Sequence, residues 1–383
     1  MLRLSTILFL TFLFTFGLEG CAKRATVKPE SVVDTPENHY SLGVKLTEEG
    51  KTDVAAEEFN RAMNMDPKFA PAYAGMAILD ALKGDFRSAH RMVERGLDYK
   101  SEDVPCLIAK GRIFTIEKAG EKWLERALEA FDRILKETPE HSEALFYKAE
   151  AFKHAHKFSE AGAVYSTVVA KKDDWSVRAN QEWELVQKIV RAAPATPKGN
   201  EIALIPAIDR ADLAVLLLEE LELKDVLKQP FSSPKSDPSF KEPDKSSEET
   251  ATSRATSEPS DVVNHWARNW IIEIVKLGAL EPFPDGTFRP DDKITRGEFA
   301  MVVQTVLVQA AHDPSLASKY YGETSHFSDV TSSHPAYNAI VLSVNRGIMK
   351  ANADGTFGLM STVSGVDALM MIREFQNVLR QTF

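Results

Sequence analysis

Only two cysteines occur in 383 residues, Cys21 and Cys106, so no disulfide framework can staple the chain and its stability has to come from packing. A cationic excess is also missing, because 46 Lys and Arg stand against 56 Asp and Glu. Nucleic acid is thereby excluded as a partner, since a phosphate backbone demands a clustered positive face. The sequence has no Gly-x-Ser-x-Gly, no His-Glu-x-x-His, no phosphate loop and no paired Cys motif, which argues against an enzyme. The nine histidines are scattered. His154 and His156 lie two apart on a helical stretch and so on different faces, which disfavours a metal pair. The Asp-Gly segments at Asp285 and Asp354 lack the acidic positions and the closing glutamate of a calcium loop. No metal and no cofactor are expected. Cys106, beside Leu107 and Ile108, reads as a small buried apolar side chain.

A long apolar run is lacking as well. Arg3 is followed by apolar or small residues from Ile7 to Leu18, fewer than the roughly 20 that a spanning helix needs. With Leu18-Glu19-Gly20-Cys21 after it, the segment has a secretory layout, with an uncleaved anchor as the alternative. Leu-x-Gly-Cys resembles the bacterial lipobox. The resemblance implies a signal peptide over 1–20, a covalent lipid on Cys21 and a tether over 21–35. Ala22 resembles the sorting choice for the outer membrane, implying its periplasmic face.

What is present in quantity is helical pattern. Leu42, Gly43, Leu46, Ala55, Phe59, Ala62 and Pro67 fall at the spacings of a tetratricopeptide (TPR) unit, the small residues letting two helices approach while Leu42, Leu46 and Phe59 fill the gap. A second unit follows from Ala70 (Tyr73, Met76, Ala77, Ala89, Val93) and a third from about Val104 (Gly111, Phe114, Ala127, Phe131, Ile134, Pro139), with an insertion around Ala119 to Trp123. The fourth carries Leu145, Ala149, Phe152, Ala161, Tyr165 and Val168. Residues 36–175 thus resemble a four-repeat TPR solenoid. Its groove would be formed by the first helices, where Tyr40, Ile78, Ile108, Arg112 and Phe146 are predicted to point, with core packing as the alternative for each.

Residues 229–259 are rich in Ser, Pro, Lys, Glu and Asp, almost without large apolar side chains, and predict a disordered linker. Beyond them come His265-Trp266-Ala267, Asp285-Gly286-Thr287-Phe288 and Ile294-Thr295-Arg296-Gly297-Glu298. These closely resemble an S-layer homology (SLH) repeat, here 260–308. A connector over 309–325 leads to another copy over 326–383, with Phe327-Ser328-Asp329-Val330, Asp354-Gly355-Thr356-Phe357 and Ser364-Gly365-Val366-Asp367. A degenerate copy over 176–228 has Trp183 to Val190 as first helix and Ile208-Asp209-Arg210-Ala211-Asp212 opening the second, although Ser176 to Arg191 reads equally as the terminal helix of the solenoid. The expected fold is mainly α: a TPR solenoid, then an α-helical SLH unit of pseudo-threefold form.

Thr295 with Glu298 spells a capping box, as do Asp209 with Asp212 and Ser364 with Asp367 less well. The arginine inside the box survives as Arg210 and Arg296 only. A cation in the first turn of a helix opposes the macrodipole, so an anionic ligand is expected to explain it. The SLH resemblance implies the same: Arg296, Arg210, Trp266, Thr295, Glu298 and Asp285 would meet a cell-wall polysaccharide or peptidoglycan-linked glycan. Trp266 could stack on a sugar or pack in the core, and Asp285 with Gly286 predicts a tight turn. The combined expectation is an envelope lipoprotein that ties a membrane to wall glycan and scaffolds an envelope protein partner. The alternative is an accessory lipoprotein of a secretion, pilus or outer-membrane assembly machine, which the missing third arginine would favour.

Overall fold

The computed structural model describes residues 34–228 and 258–382. The signal segment, Cys21, and nearly all of the tether and linker lie outside them. The described residues form 16 α-helices and two isolated β-bridges, the mainly helical fold expected. The chain divides into two units, 1–147 and 148–383.

In the first unit, three helix pairs run α1 (Pro36–Glu48) with α2 (Thr52–Met65), α3 (Ala70–Leu82) with α4 (Phe86–Tyr99), and α5 (Val104–Glu117) with α6 (Trp123–Glu137), before α7 (Ser142–His154) begins. The first helices start at 36, 70 and 104, a 34-residue step. Each carries proline at its first or second position, where the preset φ costs no hydrogen bond. The next start comes at 142 rather than 138. Two of the four additional residues lie between α5 and α6, where the sequence predicted an insertion and where Lys118 and Gly120 take φ of 51° and 74° to turn the chain, and the helices α5 and α6 each gain one.

Phe59 shows why the small residues recur. A Cβ on Gly43 of α1 or Gly75 of α3 would come within 2.5 and 2.3 Å of its ring, so the ring is wedged between glycines of two helices. Phe131 meets Gly111 in the same way. Burying such a ring contributes about 2–3 kcal/mol. Leu42, expected in that gap, is 44% exposed instead, on the outer side of a helix that no described helix precedes. The tether also ends earlier than expected. Asp34 is buried, accepting from His39 Nε2 at 2.6 Å and Arg61 Nη2 at 3.1 Å, and Thr35 caps α1.

The second unit holds the rest of α7, then α8 (Phe158–Val169), α9 (Ser176–Ala192), α10 (Pro197–Ala203), α11 (Arg210–Glu219), α12 (Leu223–Lys228), α13 (Arg268–Lys276), α14 (Arg296–Ala311), α15 (Tyr337–Asn345) and α16 (Gly365–Thr382). A buried ionic cluster braces its start: Lys153 Nζ donates to Glu150 at 2.8 Å and to Glu182 of α9 at 2.6 Å, and the Tyr165 hydroxyl also reaches Glu150. Ser176 to Arg191 falls in α9, which packs on α8 and on α16, and Arg373 of α16 caps the Arg191 carbonyl at 2.5 Å.

Three chain segments meet around a pseudo-threefold axis. Ile208 donates its amide to the Val363 carbonyl, Val363 to Ile294 and Ile294 to Ile208, at 2.9, 3.0 and 3.0 Å. Each of these residues stands two before the first residue of α11, α16 or α14, so the ring fixes where all three helices begin. The first segment differs in one respect the sequence did not reveal: it has the short helix α10 where the others have an Asp-Gly-Thr-Phe loop. The linker's last residues belong to the second copy, with Pro259 buried and Glu258 paired to Arg268 at 2.7 Å. The connector is pinned by buried Asn338, which donates to the Leu316 carbonyl at 2.8 Å and accepts from the Tyr320 amide at 2.8 Å.

Candidate functional site

The site is built at the entries of α11, α14 and α16. Thr295 and Glu298 form the expected capping box, with the Thr295 amide donating to Glu298 Oε2 at 2.8 Å and the Glu298 amide to Thr295 Oγ1 at 3.3 Å. Asp209 and Asp212 form a complete box as well. In α16 the Asp367 amide donates to Ser364 Oγ at 3.2 Å. The first two amides of α11 donate to Asp292 and Pro290, those of α14 to Ser361 and Leu359, and that of Gly365 to Ile205. These helix starts are therefore spent on neighbouring backbone, and the expectation that their dipole collects an anion is corrected on that point.

Burial, with the Asp209 carboxylate beside it, pushes Asp212 up to about 6. A raised carboxyl contributes stability that is full below its unfolded value, about 4, and is lost as pH climbs through 6. Asp212→Asn keeps an acceptor for the Asp209 amide and carries no charge. It should gain about 2–3 kcal/mol over the native chain at pH 7 and nothing at pH 4 in urea unfolding; parallel pH profiles would reject the assignment.

The arginines answer a need the sequence did not show. Arg210 Nε donates to the Phe288 carbonyl at 2.8 Å and its Nη2 to Glu281 at 3.0 Å. Arg296 repeats this with Phe357 at 2.9 Å and Lys350 at 2.5 Å. Each guanidinium also lies over a ring, Phe288 at 4.6 Å and Phe357 at 4.7 Å. Each arginine thus staples its own helix to the next copy's loop. Charge-assisted bonds to carbonyls contribute more than neutral ones, which offsets the unfavourable macrodipole but leaves the charge itself unneutralised. Among the described residues neither guanidinium has a carboxylate within salt-bridge distance; burial pulls both below their ordinary pKa, opposed by more distant acids, Glu298 and Asp292 for Arg210 and Asp367 and Asp329 for Arg296.

The loops that receive them are preset. Asp285 accepts from the Thr287 amide at 3.0 Å, its hydroxyl at 2.6 Å and Arg289 Nη2 at 2.8 Å, with Gly286 at φ 81°. Asp285 is thus committed to the turn, and these bonds hold its carboxyl far below the usual range. Two further acids were missed. Asp261 accepts from the Phe288 and Arg289 amides at 2.8 and 2.7 Å, and Asp329 from Phe357, Gly358 and Leu359 at 2.7, 2.8 and 3.2 Å. Burial alone would raise Asp329, and the three amides outweigh it. The recurrence of Ser260-Asp261-Val262 as Ser328-Asp329-Val330 was the available signal.

Gly365 stands where the third arginine would. A Cβ there would lie 1.7 Å from the Ile202 carbonyl oxygen of α10. This helix faces α10 rather than a loop, and an arginine has no room there. Gly297 is explained similarly, since a methyl would meet Leu359 Cδ1 at 2.5 Å.

Trp266 is not core: it precedes α13 and is 51% exposed, with Lys198 Nζ 5.3 Å from its ring and the Trp270 ring at 6.0 Å, while Ala267 and Ile271 supply the packing. In the helical array the groove expectation is corrected. Ile78 and Ile108 sit in one apolar cluster with Ala74, Ala77 and Leu107, and Phe146 is buried. Tyr40 is half-buried against Phe59 and Phe69, and Arg112 is half-buried, its guanidinium 4.4 Å from the Tyr147 ring centre. The middle first helix, α3, packs on α1, α2, α4 and α5, so its apolar face is consumed. Cys106 is buried, its thiol facing the Ala70 carbonyl at 3.3 Å and pushed well up by burial.

Among the described residues no three His, Cys, Asp or Glu cluster as a metal site, and no helix is long and apolar enough to cross a membrane. Residues 260–300 and 326–358 match the S-layer homology domain family. The chain is 30% identical over 129 residues to Cell surface glycoprotein 1 of Acetivibrio thermocellus, an alignment covering 33% of this chain and 6% of that protein. Sequence match and backbone ring overlap in part: the first matched segment contains Ile294 of the ring, and the second ends five residues before Val363.

Proposed function

We propose that this protein is a cell-envelope tether whose three-copy SLH unit grips an anionic cell-wall glycan, while a TPR array recruits a protein partner and an acylated Cys21 holds a membrane. The observation that carries the glycan reading is the pair of guanidiniums stapled by neutral carbonyls, with no carboxylate in contact. Their charge stays uncompensated at contact range, and a carboxylated saccharide supplies what is missing. The SLH match and the surface-glycoprotein relative support the same location. The TPR part rests on the 34-residue step and on the glycines facing Phe59 and Phe131. The accessory-subunit alternative drew on the missing third arginine, which the space around Gly365 explains without loss of function.

The test is retention of the full-length chain on purified sacculi with and without their polysaccharide. Native protein should bind only the former, Arg296→Ala should lose at least about tenfold in retention with helicity unchanged, and Cys21→Ser should leave the membrane fraction while still binding sacculi. Equal retention on stripped sacculi rejects the glycan role.

A further inference from the structure

The three seams between copies repeat one backbone pattern, so their side chains can be compared position by position. In the first seam Arg210 meets the loop of copy two; in the second Arg296 meets the loop of copy three; in the third Gly365 meets α10. The Glu281 and Lys350 carbonyls accept from the two arginines in the same way, and the Phe283 and Asn352 amides each close the same turn, onto Thr287 and Thr356 at 2.8 Å.

At these matched positions the chemistry diverges. Glu281 in the first seam stands where Lys350 stands in the second, both exposed. Phe283, a second ring 4.8 Å from the Arg210 guanidinium, is replaced by Asn352, so Arg210 is only 9% exposed while Arg296 is half-buried. Arg289, stacked on Phe283 at 4.0 Å and paired to Asp285, is replaced by Gly358 at φ 75°. Asp291, whose side chain is 87% exposed, and Asp292 give way to Met360, 77% exposed, and Ser361. Residues 281–294 hold four acids and two bases; residues 350–363 hold one of each.

We infer that the second seam alone is the glycan site, with Arg296 and Lys350 as its paired cations and Met360 as an apolar lip. This rests on the wall-glycan reading and narrows it. The first seam presents a covered arginine behind an acidic rim that repels an anion, and the third is closed by α10 and has glycine in place of the arginine. The ligand that fits is an acidic sugar carrying an apolar substituent, its carboxylate between Arg296 and Lys350 and its substituent on Met360.

Lys350 is exposed and lends only its backbone carbonyl to the staple, so its side chain can be reversed without disturbing the fold. Full-length Lys350→Glu should lose about tenfold or more in retention on intact sacculi. Glu281→Lys should leave retention unchanged, and Met360→Ser should weaken it severalfold. Retention of native protein should fall with added salt. Unaltered binding by Lys350→Glu, or a gain in Glu281→Lys, overturns the choice of seam while leaving the glycan role standing. Failure of native protein to bind intact sacculi overturns both.

Discussion

Replacing Gly365 by alanine should prevent the ring of Ile208, Ile294 and Val363 from forming. A single methyl there would sit 1.7 Å from the Ile202 carbonyl oxygen and 2.6 Å from its carbon, and both are backbone atoms of α10 rather than the end of a yielding side chain. Relief requires moving either α10 or the start of α16. The first is held by Glu220, which accepts from the Ala195 and Thr196 amides at 2.9 Å. The second is held by the Gly365 amide on Ile205 and the Val363 amide on Ile294. Overpacking in a yielding core costs about 1–3 kcal/mol; with backbone on both sides the cost should exceed about 4 kcal/mol. Circular dichroism and thermal unfolding of Gly365→Ala would show it, and a melting point within a few degrees of the native chain would refute the account. Arginine at this position, which restores the sequence pattern of the other copies, should fare worse than alanine.

The second large effect belongs to Arg210. Arg210→Met keeps the length of the side chain between Phe283 and Phe288 but leaves the carbonyls of Phe288 and Glu281 without their donor. Orphaning the buried Phe288 carbonyl costs about 1–3 kcal/mol and the part-buried Glu281 carbonyl adds less, which suggests a loss of about 3 kcal/mol in urea unfolding. Arg296→Met should cost less, because its seam is open enough for water to replace the guanidinium. Equal losses at the two positions, or a loss below about 1 kcal/mol at Arg210, would mean that the staple contributes little. The contrast separates two roles that one motif hides: a brace in the first seam, and a brace with a free charged side in the second.

Much of the fold was legible. The 34-residue step, the inserted turn after α5 and the entry residues of α11, α14 and α16 all follow from local rules of spacing and capping. What failed depended on neighbours distant in sequence. Ile78, Ile108 and Phe146 looked like groove residues because a helix pattern says which side is apolar but not how many helices share it. Trp266 stood open between sugar contact and core because Ala267 and Ile271 beside it do pack, and only the helix start at Arg268 places it outside the packed face. The partners of Arg296 lie 54 and 61 residues away, beyond any local signal, and α10 has no counterpart in the other copies to predict it from. The difference between Glu281 and Lys350 was visible throughout, but it gained meaning only once both carbonyls were seen to receive the same bond.

The ring joining Ile208, Ile294 and Val363 also sets a timetable. Helix pairs of the array need partners only about a repeat away, so each can form as it leaves the ribosome. The ring needs three strands of chain spanning more than 150 residues, and α9 waits for α16, whose Arg373 reaches back 182 positions. Such long closures are slow. The newborn molecule therefore carries a finished array and an unfinished ring until α16 is made.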